Sequence, residues 1–341
     1  MVKPKRQPRD DETAACDVYC HGPGGRKSKY TASHSWRKDS DMARDEAAWD
    51  WWARIGQPQT WLAPMVGLSE PAFRMLCRSH GCGICSTEMI DAAGYARSSR
   101  YRARYPFAPE DRPLVVQLGG SNPEDLAAAA AFAAPHCDGV ELNVGCPQRC
   151  ARRGGYGAFL MDNPDLLVRC VKAMARAISL ANSQCACCVK IRCFDDTAAT
   201  VALAQQLQDA GAQCLTVHGR TRDGGGGKRT GKWPANWDWI RAVKHAVGVP
   251  VVSNGNIRAY GDITRCLDHT GADCVMSGCG ALKRPFIFSP PAPPPDASGD
   301  SGGKGNHGEW ERRLEAALEY LAQAAQYDAH PRQITKHLQE V

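Results

Sequence analysis

Eight short apolar runs recur between residues 61 and 282, and their repetition constrains the fold of this chain more than any other feature. Most runs are continuously apolar rather than alternating, which is typical of strands that are buried on both faces. The predicted strands are WLAPMVG (61–67), GICSTEM (83–89), PLVVQLGG (113–120), GVELNVGCP (139–147), CCVKIRC (187–193), CLTVHGR (214–220), VPVVSNGNI (249–257) and CVMSGCGAL (274–282). Helices are predicted between them at 123–134, 164–181, 197–210, 236–247 and 261–269.

Strands that alternate with helices in eight units, over roughly 225 residues, predict an α/β fold of the (β/α)8 TIM barrel type. The alternative is a doubly wound parallel sheet, but the first predicted strand is not followed by the GxGxxG motif of dinucleotide-binding members of that class. We place the barrel domain at 56–288.

Three further segments flank the predicted barrel. Residues 1–55 are polar and of mixed charge, which predicts a disordered extension, with Trp49–Trp52 as a candidate for a short docked helix. Residues 289–308 are rich in Pro, Gly and Ser and predict a flexible linker. Residues 309–341 are amphipathic and predict the start of a small C-terminal helical domain that does not run to completion.

Composition excludes several classes of protein. No apolar run approaches the roughly 20 residues of a membrane span, and the N-terminus has neither the apolar core of a secretory signal nor the acid-poor composition of a transit peptide. We therefore expect a cytoplasmic or nuclear protein without a membrane partner. The 17 cysteines then predict free thiols rather than disulfides. Cys82 and Cys85 lack a second ligand pair, so no metal is expected.

The carboxyl ends of barrel strands carry the active site, and here most of them carry polar side chains. Lys190 is the least ordinary, because V-K-I-R places a cation within an apolar strand and a buried lysine needs an anionic partner. SNGNI (253–257) and SGCGAL (277–282) are small-residue turns after the seventh and eighth strands, where barrels bind phosphate. Either turn alone is an ordinary helix entry. Together with Lys190 they predict flavin mononucleotide (FMN) across the barrel mouth, with Gln117 at the ring edge.

Cys146 ends the fourth predicted strand in a turn that Gly145 and Pro147 define. An unperturbed thiol has a pKa of about 8.5 and is mostly protonated at neutral pH. Cys146 is therefore suited to donate a proton opposite a hydride donor. The alternative role is that of a nucleophile, but no His/Asn pair follows a cysteine-hydrolase signature.

The loops after the second, fourth, sixth and eighth predicted strands are rich in basic and aromatic residues. All four lie on the catalytic face of a barrel, so the net charge of +6 conceals a basic rim. Arginine interleaved with aromatic residues suits a polyanion with exposed bases, as in an RNA loop. The basic residues are Arg97, Arg100, Arg102, Arg104, Arg149, Arg152, Arg153, Arg220, Arg222, Lys228, Arg229, Lys232, Lys283 and Arg284.

The chain resembles the tRNA-dihydrouridine synthases over about 57–288, and more weakly over 309–341. Cys-Pro-Gln followed by ARRGGYGAFL is most similar to the eukaryotic subfamily that acts on uridines 16 and 17 of the tRNA D loop. The stretches that carry the resemblance are LAPMVGLSEPAFR, TEMI, VQLGG, ELNVGCPQ, RRGGYGAFLM, VKIR, TVHGRTR, SNGNI and VMSGCGAL.

This resemblance implies an FMN barrel with a helical tRNA-binding domain, which reduces uridine to 5,6-dihydrouridine with NADPH or NADH as reductant. It implies that hydride passes from the reduced flavin to C6 and a proton from Cys146 to C5. Asn143 and Arg192 would contact the uridine, and we assign phosphate contacts to Arg149, Arg152 and Arg153. The implied flavin contacts are Pro64, Met65, Val66, Gln117, Lys190, His218, Asn254, Gly255, Asn256, Gly278 and Cys279.

Two departures from the family pattern matter. Many members have Arg where Cys279 stands, so that phosphate contact must come from the backbone or from elsewhere, and the helical domain is cut short. The expected partner is tRNA, and a monomer is expected. Two other functions stay open: a dihydroorotate-dehydrogenase-like flavoenzyme that acts on a free pyrimidine, and an RNA-binding protein without catalysis.

Overall fold

The computed structural model describes residues 44–224, 234–290 and 307–341. In these ranges, eight parallel strands form a closed barrel, because β2 pairs with both β1 and β4, and β1 also pairs with β9. The short strand β3 adds to β4 outside the ring. The strands are β1 (Thr60–Leu62), β2 (Ile84–Ser86), β3 (Ile90–Asp91), β4 (Leu114–Gly119), β5 (Gly139–Val144), β6 (Ala186–Cys193), β7 (Cys214–Thr221), β8 (Val251–Asn254) and β9 (Cys274–Ser277). Closure confirms the TIM barrel and excludes the doubly wound sheet, which would have two open edges.

Helices alternate with the strands as predicted. Asn122 and Asn163 cap two of them through their side chains, each followed by a proline that is compatible with the first helical position. The helices are α1 (Glu46–Arg54), α2 (Pro71–Ser79), α3 (Ala92–Arg97), α4 (Ser99–Arg102), α5 (Pro123–Ala133), α6 (Arg149–Gly154), α7 (Pro164–Ala181), α8 (Thr197–Asp209), α9 (Trp237–Ala246), α10 (Tyr260–Thr270), α11 (Cys279–Lys283), α12 (His307–Gln326) and α13 (Pro331–Glu340).

Helix α1 belongs to the barrel, so the ordered chain begins before the boundary predicted at residue 56. Trp51 and Trp52 are buried in the same apolar cluster as the interior residues of the strands. The indole nitrogens of Trp51 and Trp49 donate to the carbonyls of Asp138 and Gly248, which precede β5 and β8. The tryptophans therefore close the N-terminal end of the barrel. Burial of their apolar surface stabilises the docked helix. Residues 1–43 lie outside the described ranges.

Helices α12 and α13 pack against α2 on the outside of the barrel. The hydroxyl of Tyr320 donates to Glu70 at 2.8 Å, and His337 Nε2 lies 3.1 Å from the same carboxylate. The ring of His337 stacks on Phe73 with a centroid separation of 4.2 Å. This buried polar cluster fixes the C-terminal helices next to the loop that precedes α2. Most of the predicted linker lies outside the described residues.

The cysteines of the described ranges all carry free thiols, and most of them pack as small apolar side chains in the core. In the same ranges, no group of three or more His, Cys, Asp or Glu side chains is arranged to hold a metal ion. None of the helices that the structure describes has both the length and the apolar character needed to cross a membrane.

Candidate active site at the barrel mouth

Neighbouring strands bring the predicted polar residues together at the C-terminal mouth of the barrel. Asn143 on β5 is the strand partner of Lys190 on β6. One level higher, Arg192 is the partner of His218, and His218 is the partner of Asn254 on β8. Because the side chains of a strand alternate between its faces, this register places them on the inner face near the top of the barrel.

Two side-chain amides link the barrel interior to the Cys146 turn. Gln117 Nε2 donates to the carboxylate of Glu141 at 2.6 Å. Gln117 Oε1 accepts a hydrogen bond from Asn143 Nδ2 at 2.7 Å. Asn143 Oδ1 accepts from the backbone N–H groups of Gly145 and Cys146 at 3.1 and 3.0 Å. The position of the thiol is thus tied to a carboxylate in the barrel core.

Lys190 is partly buried on β6, and its Nζ donates to Asn254 Oδ1 at 2.9 Å. Burial lowers the pKa of Lys190 to about 8, and the negative charge of Glu141 partly opposes that fall. Glu141 was not among the sequence-based site residues, and it supplies a protein anion for Lys190. A ligand anion is therefore not required to explain the buried lysine.

His218 is neutral at physiological pH in this environment. Burial lowers its pKa well below the ordinary value of 6.5, and Lys190, Arg192 and Arg220 add to the effect. Arg220 Nη1 lies 2.7 Å from His218 Nε2. Since arginine only donates hydrogen bonds, Nε2 is the acceptor and Nδ1 carries the proton.

Arg192 holds the Cys146 turn from the neighbouring strand. Its Nε donates to the carbonyl of Gly145 at 2.7 Å and its Nη1 to the carbonyl of Thr221 at 3.0 Å. Burial, followed by repulsion from Arg220, lowers the pKa of Arg192. At least two of the N–H groups of Arg192 therefore hold the backbone around the site, and the others are left for a substrate contact.

The thiol of Cys146 is half-buried beside Gly157. Gly157 has a φ of +63°, and a Cβ atom there would lie 2.6 Å from the carbonyl oxygen of Cys146, so only glycine fits. Burial raises the pKa of Cys146 above the ordinary value, outweighing the opposing effects of a backbone hydrogen bond and Arg192. The side chain is therefore a protonated thiol at neutral pH, which suits a general acid better than a nucleophile.

The two small-residue turns pack against each other at the top of β8 and β9. Ser277 Oγ donates to the carbonyl of Ile257, and a Cβ atom on Gly280 would lie 2.2 Å from that oxygen. A Cβ on Gly278 would lie 3.5 Å from Met65 Sδ, so the loop after β1 joins the same group. The other predicted members of this group are Pro64, Val66, Gly255, Asn256 and Cys279, of which Val66 and Cys279 are exposed.

The basic rim is less free than the sequence indicated. Arg97 pairs with Asp125, Arg222 with Asp162 and Arg284 with Glu309. Arg149, Arg152 and Arg153 are exposed on α6, directly after the Cys146 turn. Lys228, Arg229 and Lys232 lie outside the described residues. Helix α6 is therefore the clearest candidate surface for a polyanion beside the thiol.

The side chains that converge on the mouth are mostly hydrogen-bond donors. Lys190, Arg192 and Arg220 are cationic, and the described carboxylate next to them, Glu141, is buried below the mouth. Such a donor-rich, positively charged set suits a ligand with many acceptors and negative charge. A flavin nucleotide has both, through its ring carbonyls and its phosphate, so the residues present fit this cofactor.

Comparisons with known proteins find one family model and several named relatives. A family model described as "Dihydrouridine synthase (Dus)" matches residues 61–341. The chain is 42% identical over 248 residues to a Rattus norvegicus protein named tRNA-dihydrouridine(16/17) synthase [NAD(P)(+)]-like, a match that covers 72% of this chain and 55% of that protein. It is 41% identical over 242 residues to the Saccharomyces cerevisiae tRNA-dihydrouridine(16/17) synthase [NAD(P)(+)], covering 69% of this chain and 55% of the yeast protein.

The chain thus spans about half the length of these relatives. Among solved structures, morphinone reductase covers 67% of the chain at 15% identity with a TM-score of 0.44, a likeness too distant to support a functional argument. The family match extends over more than half of the chain and includes both the barrel and the C-terminal helices. The chain belongs to the dihydrouridine synthase family.

Proposed function

We propose that the protein reduces uridine to 5,6-dihydrouridine at positions 16 and 17 of the tRNA D loop, with FMN as cofactor and NADPH or NADH as reductant. One observation carries the proposal: a protonated thiol and a partly buried cation lie at the same barrel mouth. Asn143, the strand partner of Lys190, accepts a hydrogen bond from the backbone N–H of Cys146. Reduction of a C=C bond needs a hydride at one carbon and a proton at the other, and Cys146 is suited to supply the proton.

The flavin would be held by the donor-rich set at the mouth. Lys190 would balance negative charge on the ring, and Gln117 would offer an amide N–H to a ring carbonyl. The turns after β8 and β9 would offer backbone N–H groups to the phosphate, with Cys279 contributing only its backbone. When bound and reduced, the flavin supplies the hydride for uridine C6. The remaining proposed contacts are Pro64, Met65, Val66, His218, Asn254, Gly255, Asn256 and Gly278.

The uridine would be protonated at C5 by Cys146 and oriented by Asn143 and Arg192. The base must leave its stack to reach the mouth, which costs a few kcal/mol and costs least in a loop. Exposed arginines on α6 would hold the flanking phosphates: Arg149, Arg152 and Arg153. Helices α12 and α13, docked on the barrel through Glu70, would extend this tRNA-binding surface.

A visible spectrum of the purified protein, followed by turnover on unmodified tRNA, tests the proposal. We expect the visible absorbance of an oxidised flavin, and dihydrouridine at positions 16 and 17 by mass mapping after addition of NADPH or NADH. Absence of flavin binding would overturn the proposal in favour of a non-catalytic RNA-binding protein. Reduction of a free pyrimidine with no activity on tRNA would overturn it in favour of a dihydroorotate-dehydrogenase-like enzyme.

A further inference from the structure

Glu141 is a fully buried carboxylate directly below the barrel mouth. It has 0% relative exposure and accepts hydrogen bonds from Gln117 Nε2 at 2.6 Å and from Thr216 Oγ1 at 3.2 Å. A buried charge of this kind is costly and persists only where its partners compensate it. Its placement next to Gln117 and near Lys190 connects it to the residues of the candidate site.

The hydrogen bonds around Glu141 have a single direction. Glu141 accepts from both Gln117 and Thr216, so Gln117 turns its Nε2 toward Glu141 and its Oε1 toward Asn143. At the other end, the backbone N–H groups of Gly145 and Cys146 only donate, so Asn143 turns its Oδ1 toward them. The two ends fix the orientation of both amides independently, and they agree.

We infer that Glu141 is a positioning residue, which sets the direction of the Gln117–Asn143 amide pair and thereby the placement of the Cys146 turn. We call this hydrogen-bonded series the amide relay: Glu141, Gln117, Asn143 and Cys146. Because Asn143 Nδ2 is the end of the amide that faces Gln117, its second N–H is the donor that Asn143 offers to a substrate carbonyl. For turnover on uridine, the inference rests on the proposed function.

Burial raises the pKa of Glu141, while the charge of Lys190 and the two hydrogen-bond donors oppose the rise. The relay does not depend on the charge alone. A glutamine at position 141 keeps an acceptor oxygen for Gln117, whereas methionine has similar length and only a weakly accepting sulfur. Glu141→Gln therefore removes the possible charge and keeps a strong acceptor for Gln117, whereas Glu141→Met removes both.

The first test uses the flavin-free protein and does not depend on catalysis. The rate at which iodoacetamide alkylates Cys146, resolved by peptide mass spectrometry, reports how firmly the turn is held. We expect Glu141→Met and Asn143→Ala each to accelerate alkylation several-fold, Glu141→Gln to stay near wild type, and the double variant Glu141→Met/Asn143→Ala to react no faster than Asn143→Ala alone. Additive effects in this double-mutant cycle would overturn the inference, since residues that act through one another are not additive.

The second test measures turnover on tRNA. We expect Glu141→Met to lower kcat by about 10- to 100-fold with little change in the dissociation constant of FMN, because small misplacements of a reacting group have effects of this size. Glu141→Gln should restore most of the loss. Cys214→Ala, which removes packing from the same barrel interior, controls for general destabilisation. Equal kcat in wild type and Glu141→Met would overturn the inference and leave the proposed function intact, whereas no turnover by wild type would refute the proposed function alone.

Discussion

Asn143 Oδ1 lies 3.0 Å from the backbone nitrogen of Cys146, and this hydrogen bond joins the strand that carries the buried site to the turn that carries the thiol. Arg192 holds the same turn from β6 through the carbonyl of Gly145. The backbone of the Cys146 turn is therefore held from two neighbouring strands. This placement gives a physical basis to the proposed role of Cys146 as proton donor.

The pH dependence of turnover should show an acid with a raised pKa. A proton donor is active below its pKa and inactive above it, and burial raises the pKa of Cys146 above that of an ordinary thiol. We expect no loss of kcat on tRNA around pH 7, and a fall only in the alkaline range, where Cys146 loses its proton. Measurement of kcat across pH 6 to 10 checks this. A fall of kcat centred near pH 7 would show that Cys146 is already losing its proton there and would contradict the assignment.

Lys190→Met should remove part of the pH dependence of the free energy of unfolding of the flavin-free protein. The pKa of Lys190 is lowered to about 8 from the ordinary 10.5. Between these values the unfolded chain retains a proton that the folded chain has lost, so the free energy of unfolding rises with pH in this window. Urea unfolding from pH 7 to 10.5 measures the free energy of unfolding of wild type and of Lys190→Met. The difference between the two should change between the two pKa values of Lys190 and stay constant below them. A constant difference would mean that Lys190 is not buried as described.

Trp51→Ala should destabilise the barrel by about 3–5 kcal/mol, because it empties a buried site at the closed end of the barrel. The side chain is 1% exposed and its indole N–H donates to Asp138. Trp310→Ala is the matched control, since Trp310 is 64% exposed. Urea unfolding of both variants measures the difference. Equal effects would show that α1 is not part of the folded barrel.

Tyr320→Phe should loosen the C-terminal helices, because it deprives the buried Glu70 of a hydrogen bond at a cost of about 1–3 kcal/mol. Amide hydrogen exchange should then increase in α12 and α13 relative to the barrel. Tyr327→Phe removes a similar hydroxyl that contacts the exposed Glu110, and it should have a smaller effect. If both variants exchange like wild type, the Glu70 cluster does not anchor these helices.

Replacement of Arg149, Arg152 and Arg153 by alanine should weaken tRNA binding and flatten its salt dependence. Each phosphate contact to a single strand contributes about 0.7 to the slope of log K against log salt, so the loss of three contacts lowers it by about 2. Arg97→Ala is the control, because Arg97 already pairs with Asp125. An unchanged slope in the triple variant would place the phosphate contacts elsewhere.

Much of the fold follows from local sequence signals. Helix α7 begins and ends where it was predicted, because Asn163 caps it and Pro164 suits its first turn. The eight strands were visible as continuous apolar runs because the barrel buries both of their faces. Helix α1 was predicted only as a candidate docked helix at Trp49–Trp52, within a segment expected to be disordered. The structure extends it to Glu46–Arg54, and Trp51 and Trp52 become buried only against the completed barrel.

The site residues at strand ends were predictable from fold geometry and family resemblance, but their pairings were not. Glu141 stands two residues before Asn143 in an otherwise apolar strand, and this alternation could have indicated that both face the barrel interior. The ion pair between Arg97 and Asp125, in contrast, joins residues on different helices. No local pattern indicates such a pair, so the sequence could not show which arginines of the rim have a carboxylate partner.

The most direct test of the central claim is a single-turnover experiment on Cys146→Ala. The variant is first reduced with NADPH or NADH and then mixed with unmodified tRNA, and flavin reoxidation is followed by absorbance. We predict normal flavin binding and normal reduction, with reoxidation by tRNA slowed about 10²- to 10⁴-fold, the usual contribution of a general acid. Reoxidation at the wild-type rate would contradict the assignment of Cys146 as the proton donor.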